Sequence, residues 1–177
     1  MIGTLRVFAP AALVTASALL AGCVTHMDKL DAGTPVAEIQ QEYGEPTSRC
    51  TLPEGGERLI WSRQPHEPYA WGVVVGTDGK TGQVTQLLTD ENFWRLSSGY
   101  WPAERVQCEF GPPANVRQIG SSAVRQVVWN YRYKNHAGWP SVMTVYMGPD
   151  GKTARRHVST DDPESTANGP GGDGSGD

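Results

Sequence analysis

Apolar residues recur along this chain with two spacings, one helical and one alternating, and the two spacings follow each other in the same order twice. Val106 and Phe110 lie four apart and share a helical face. They run into Gly111, which can take the left-handed conformation that closes a helix, and then into Pro113, which cannot continue one. Ile39, Tyr43, Gly44 and Pro46 repeat that arrangement 67 positions earlier. Ahead of the first helix, Thr34 is the candidate N-cap and Pro35 the first helical residue, with Val36, Ile39 and Tyr43 as the apolar stripe. Pro102 holds the same place ahead of the second, which is predicted over 102–110.

After each helix the period becomes two. The first unit predicts strands over 49–52, 58–63, 71–75 and 83–88, with Leu59 and Trp61 on one face and an Asp-Gly hairpin turn at 77–80. The second predicts them over 115–119, 124–133, 141–147 and 153–158, with Val127, Trp129, Tyr131 and Tyr133 alternating on one face. Offsets between matching residues drift from 67 at the helices to 68 at Trp61 and Trp129 and 72 at Asp78 and Asp150. The insertions therefore fall in loops between strands, where added residues cost little. Thr89, Asp90 and Glu91 open a further helix over 92–96, and residues 27–30 stand as its counterpart in the first unit.

The expected fold is α+β: two tandem repeats, 33–88 and 89–162, each of two short helices packed on a three- to four-stranded antiparallel sheet. Residues 163–177 are Gly-rich and polar, with no aliphatic side chain larger than Ala. Such a segment buries too little to offset its ordering entropy and is expected to be disordered.

The N-terminus changes the picture. Residues 1–6 carry one positive charge and 7–20 are largely apolar, which is too short to span a bilayer, a task needing about 20 residues. Residues 1–22 thus read as a secretory signal, and Leu20, Ala21, Gly22 and Cys23 look like a bacterial lipobox. Cys23 is the expected lipidation site, with 23–32 as a lipid-anchored linker. Several acyl chains at roughly 0.8 kcal/mol per buried methylene hold a protein stably to a membrane. Val24, rather than Asp, follows the cysteine, and the resemblance to sorted lipoproteins implies the periplasmic face of the outer membrane.

Composition agrees with short elements and many turns: 177 residues include 21 Gly and 13 Pro, and 38% are hydrophobic. The net charge is −4, or −5 once residues 1–22 with their single Arg6 are removed. With no cluster of Lys and Arg in the sequence, nucleic acid is not an expected partner.

In an oxidising compartment Cys50 and Cys108 could pair, although they occupy different repeat positions. Alternatively Cys108 is a small buried hydrophobe beside Val106. His26, His66, His136 and His157 show no metal-ligand spacing. His66 and His136 share a place in the loop after the Trp-bearing strand, where two polar loop residues in a duplicated gene explain them. Asp90 and Glu91 suit a helix N-terminus, and Asp161 and Asp162 a solvated segment. No nucleophile elbow, phosphate loop or metal motif occurs, so the expectation is a non-enzyme without cofactors. What remains is aromatic surface. Trp61 and Trp129 are expected in the core, while loops 64–71 and 134–139 are candidate interaction segments, with Tyr69, Trp71, Tyr100, Trp101 and Trp139 as the candidate contact residues.

Gly33, Thr34 and Pro35 leading through Ile39 to Tyr43, Gly44, Glu45 and Pro46, then a strand Trp and an Asp-Gly hairpin, resemble the BamE (SmpA/OmlA) family of outer-membrane lipoproteins. The resemblance covers nearly the whole chain after Cys23 in two copies, where that family has one. It implies an accessory, non-enzymatic part in outer-membrane β-barrel assembly or envelope integrity, through contacts with other assembly proteins. The turn residues Gly44, Pro46, Gly111 and Pro113 carry it as structural positions. Two such units in tandem are also similar to the β-lactamase inhibitor protein fold, which implies the alternative of a protein-binding inhibitor module. A structural lipoprotein of the cell wall is a third reading.

Overall fold

Leu59 and Ile60 are adjacent on one strand and both inaccessible to solvent, so the sheet that holds them must be covered on both faces. The computed structural model describes residues 27–121 and 124–167. Its first antiparallel sheet runs β1 (Ser48–Thr51), β2 (Glu57–Ser62), β3 (Ala70–Val75), β4 (Thr85–Gln86), in that order. The second runs β5 (Asn115–Ile119), β6 (Gln126–Lys134), β7 (Pro140–Met147), β8 (Ala154–Asp161), also in chain order. The helices are α1 (Val36–Tyr43), α2 (Asp90–Trp94), α3 (Ala103–Phe110) and α4 (Pro163–Ala167). The architecture is α+β with two four-stranded antiparallel sheets. None of these helices is long and apolar enough to cross a membrane.

Cross-strand partners share a face. Leu59 with Val73 and Trp61 with Trp71 therefore point one way, and they pack with Ile39 of α1, Met27 and Val84. Ile60 and Ala70 point the other way, into a larger core with Val106 and Phe110 of α3, Phe93 of α2, and Tyr131, Tyr133, Met143 and Val145 of the second sheet. The α3 helix is thus a layer between the two sheets. Each unit was expected to cover one face of its own sheet; instead the first sheet takes α1 on one face and α3 on the other. Each large side chain buried this way contributes about 1.5–3 kcal/mol. At the centre the Phe93 ring stacks on Phe110 at 4.8 Å and meets Tyr133 edge-on at 5.0 Å.

Local chemistry corrects several expected boundaries. Pro35, with φ −56° and ψ 138°, occupies the N-cap place of α1, and Thr34 donates its hydroxyl to the Asp31 carbonyl at 2.7 Å instead of capping the helix. Pro102, φ −66° and ψ 158°, likewise stands just outside α3. Thr89 does cap α2, accepting from the Asn92 N–H at 3.2 Å. The early helix of the first half is only a three-residue 3-10 turn, Met27–Lys29. The last strand of the first sheet shrinks to two residues, because Leu87 and Leu88 turn into the shared core.

The acidic pair Asp161 and Asp162, at the end of β8 and just beyond it, is not solvated as a whole. Asp162 is 3% exposed and accepts from Arg132 Nε at 2.8 Å. Its Oδ1 also accepts the Glu164 N–H at 3.0 Å, starting α4 inside the segment expected to be disordered from 163 onward. Cys23, the signal segment and residues 168–177 lie outside the described residues.

Candidate interaction surface

Two glycines set where each long helix meets its sheet. Gly44 (φ 79°) and Gly111 (φ 77°) close α1 and α3, donating to the Gln40 and Gln107 carbonyls at 2.8 Å each. Their own carbonyls are then held by aromatic groups from the sheets. Trp61 Nε1 donates to Gly44 at 2.8 Å, and the Tyr131 hydroxyl donates to Gly111 at 3.2 Å. Burial pushes the Tyr131 phenol well above its ordinary pKa, so it remains a donor. Pro46 and Pro113 follow two residues later and lead the chain toward β1 and β5.

The five aromatic candidates fall in different places. Trp101 is a correction: it is 3% exposed, donates to the Ser98 carbonyl at 2.8 Å, and lies 6.0 Å from Phe110 in the core. Its outer side is covered by the Arg105 guanidinium, which reaches back from the first turn of α3 to 3.9 Å from the ring centre. Tyr100, 69% exposed, projects at the entry to α3. Tyr69 and Trp71 are half-buried and stacked at 6.2 Å. Trp139 is 68% exposed on the turn between β6 and β7.

The two loop segments expected to make contacts do meet, through Lys134 Nζ, 5.9 Å from the Tyr69 ring centre. Part of the first is spent on an internal contact. Gln64 Nε2 donates to the Arg132 carbonyl at 2.6 Å, and its Oε1 accepts the Arg132 N–H at 3.0 Å. β5 pairs with β6 only as far as Asn115 opposite Asn130, so the Gln64 amide stands where the next residue of an edge strand would bond.

Trp94 is the exposed ring that residue-by-residue reading passed over. It is 75% exposed at the end of α2 and lines a groove of about 480 Å³ with Asp90, His136, Met143, His157 and Ser159. Phe93 and Trp94 are neighbours on a short helix, so burial of Phe93 at 0% exposure turns Trp94 outward; that adjacency was the available signal. At the floor of the groove Asp90 collects three donors. They are the Tyr133 hydroxyl at 2.7 Å, the His136 N–H at 2.7 Å and His136 Nδ1 at 3.0 Å. Burial works to raise the Asp90 pKa, and these hydrogen bonds outweigh it, holding the carboxyl below its ordinary value. Burial also lowers the His157 pKa. His136 is tied to this hub, and His66 takes no part in it. Among the described residues no group of three or more His, Cys, Asp or Glu is placed to hold a metal ion.

A second cleft, about 720 Å³, follows the joint between the first sheet and α3. Cys50 of β1 and Cys108 of α3 are bonded there, their Cα atoms 5.6 Å apart. Beside them Glu109 accepts from Arg58 at 2.7 Å and from Arg95 at 3.0 Å, and Arg58 also donates to the Cys108 carbonyl at 3.1 Å. Glu109 and Arg58 are shielded, at 14% and 17% side-chain exposure, so this pair is worth more than a surface ion pair. The arrangement fixes α3 to the sheet.

No family model, known protein or solved structure matches this chain.

Proposed function

We propose that this chain is a lipid-anchored envelope protein that works by binding other proteins, as an accessory in outer-membrane β-barrel assembly or envelope integrity. The observation that carries the reading is the exposure of three large rings on its second half: Trp94 at 75%, Tyr100 at 69% and Trp139 at 68%. Exposed Trp and Tyr rings, with two side-chain torsions each, supply contact area at low entropic cost, which is how protein interfaces are anchored. The lipobox at Cys23 supports the placement at a membrane surface, and the helix-Gly-x-Pro-strand pattern supports the BamE resemblance.

We also propose that the chain is a tandem duplication. The support is the 67-residue offset of α1 and α3, equal in length at eight residues, with the same conformation at Gly44 and Gly111 and an aromatic donor on each glycine carbonyl.

The test is photo-crosslinking of the lipid-anchored protein in its own envelope, with the reactive residue at Trp94 or at Trp139. Adducts with a barrel-assembly component, lost when Cys23→Ser moves the protein to the soluble fraction, are the expected result. Adducts that contain no assembly component overturn the accessory role.

A further inference from the structure

Among the described residues, no helix forms a layer over one face of the second sheet. Its inner face packs on α2 and α3 through Val127, Trp129, Tyr131 and Tyr133. Side chains of the opposite parity face away from that core, and the pairing register arranges them in rows across the four strands. One row is Arg117, Val128, Tyr146, Arg156. The next is Asn115, Asn130, Thr144, Val158. A third continues through Arg132, Val142 and Thr160, and Lys134 opposite Pro140 ends the face.

The charges on this face are all of one sign. Arg117, Arg132, Lys134 and Arg156 are its charged strand residues, with no carboxylate among the strand positions, in a chain whose net charge is −4. Arg132 is neutralised by Asp162 and Glu164 at 2.8 Å each, beyond the end of β8. Arg117 and Arg156 have no carboxylate partner among the described residues. They bracket an apolar centre: the Arg156 guanidinium lies 4.1 Å from the Tyr146 ring centre, and Val128 between the flanking rows is only 2% exposed. The middle row is fixed by hydrogen bonds from Asn130 Nδ2 to Asn115 Oδ1 at 2.8 Å and from Thr144 Oγ1 to Asn130 Oδ1 at 2.9 Å. Those bonds satisfy Asn130 in place, so the face is preorganised rather than waiting to order on contact.

We propose that this face docks an acidic protein surface, with carboxylates placed to receive Arg117 and Arg156 on either side of a contact over the half-buried Tyr146 ring. Strands are about 4.8 Å apart, so the two arginine-bearing edge strands stand about 14 Å apart, the span the partner's carboxylates must match. Guanidinium groups suit this task because they bind carboxylates in a fork and still stack on aromatic rings. The inference rests on the protein-binding reading above, and it uses a different surface from the Trp94 groove.

The test places a photo-reactive residue at Thr160 on this face, outside the lining of the Trp94 groove, with Glu38 on α1 as the control, in the full-length lipid-anchored protein. A protein adduct whose crosslinked peptide is rich in Asp and Glu supports the proposal if it weakens about tenfold in Arg117→Glu/Arg156→Glu and at high salt. Circular dichroism of that variant, and the milder Arg117→Gln/Arg156→Gln pair, separate lost docking from lost folding. No protein adduct, an adduct peptide without carboxylates, or one indifferent to charge reversal overturns it. Adducts with phospholipid, or equal charge-dependent binding to phosphatidylglycerol vesicles, overturn it in favour of a membrane-facing role. Since Trp94 and Trp139 report on the accessory role, failure on the sheet face alone leaves that reading standing.

Discussion

The side-chain amide of Gln64 satisfies both main-chain groups of Arg132, taking its N–H at 3.0 Å and giving a hydrogen bond to its carbonyl at 2.6 Å. A side chain from the first half thus extends the pairing of a strand in the second. Gln64→Ala should destabilise the protein by about 1–3 kcal/mol, the cost of leaving partly buried peptide groups without partners. Gln64→Glu should cost at least as much, because its carboxylate faces a carbonyl where a donor stood. Urea unfolding of the two variants checks this; midpoints equal to the parent protein would contradict it.

Reduction should loosen the joint between α3 and the first sheet. Cys50 and Cys108 are 58 residues apart, and a loop of that size restricts the unfolded chain by about 4 kcal/mol in the entropic account of disulfides. Unfolding with and without dithiothreitol, compared with Cys50→Ser/Cys108→Ser, measures the contribution. The serine variant should be insensitive to the reductant.

Trp94 and Trp101 should respond in opposite ways. Trp101→Ala empties a core site, at a cost of about 3–5 kcal/mol. Trp94→Ala should leave stability within about 0.5 kcal/mol and reduce only crosslinking to partners. Thermal unfolding of both variants separates them.

Asp90 should make stability depend on pH at the acid end. Its folded-state pKa is depressed, so its contribution is complete above the unfolded aspartate value of about 3.9 and disappears as pH falls through the folded value. Asp90→Asn should therefore be less stable than the parent at pH 7, and the gap between them should narrow below about pH 4. A gap that stays constant through the acid range would contradict this.

The two helix-closing glycines should differ when replaced. Gly44→Ala meets nothing within 4 Å and should cost about 1–2 kcal/mol, the price of a left-handed conformation. Gly111→Ala carries that strain and also places its Cβ 3.1 Å from Ile60 Cγ2, so it should cost roughly 1 kcal/mol more. Denaturant midpoints of the two variants give the comparison.

Local features of this fold were legible in the amino-acid order. The alternation through Trp129, Tyr131 and Tyr133 marks β6, and Gly44 and Gly111 mark helix ends, because each depends on neighbours within a few residues. Contacts between distant segments were not legible. Asp162 reads as a solvated acid until Arg132 is brought beside it, 30 residues away. Trp101 reads as surface until the Arg105 stack and the Phe110 contact close over it. The charge pattern of the second sheet's arginine-bearing face was equally hidden, since Arg117 and Arg156 share a row only through the registers of three strand pairs.

The placement of α3 between the sheets also bears on what happens if the chain is cut. A break between residues 88 and 89 would leave the first fragment with Ile60, Ala70, Leu87 and Leu88 facing water, and the second with the side of α3 that meets them bare. Neither piece would be a finished product, and each would offer the other a matching apolar surface with a cysteine on it. Fragments made separately should recombine on mixing and be locked by oxidation, which makes this chain a natural split protein whose halves report on their own reunion.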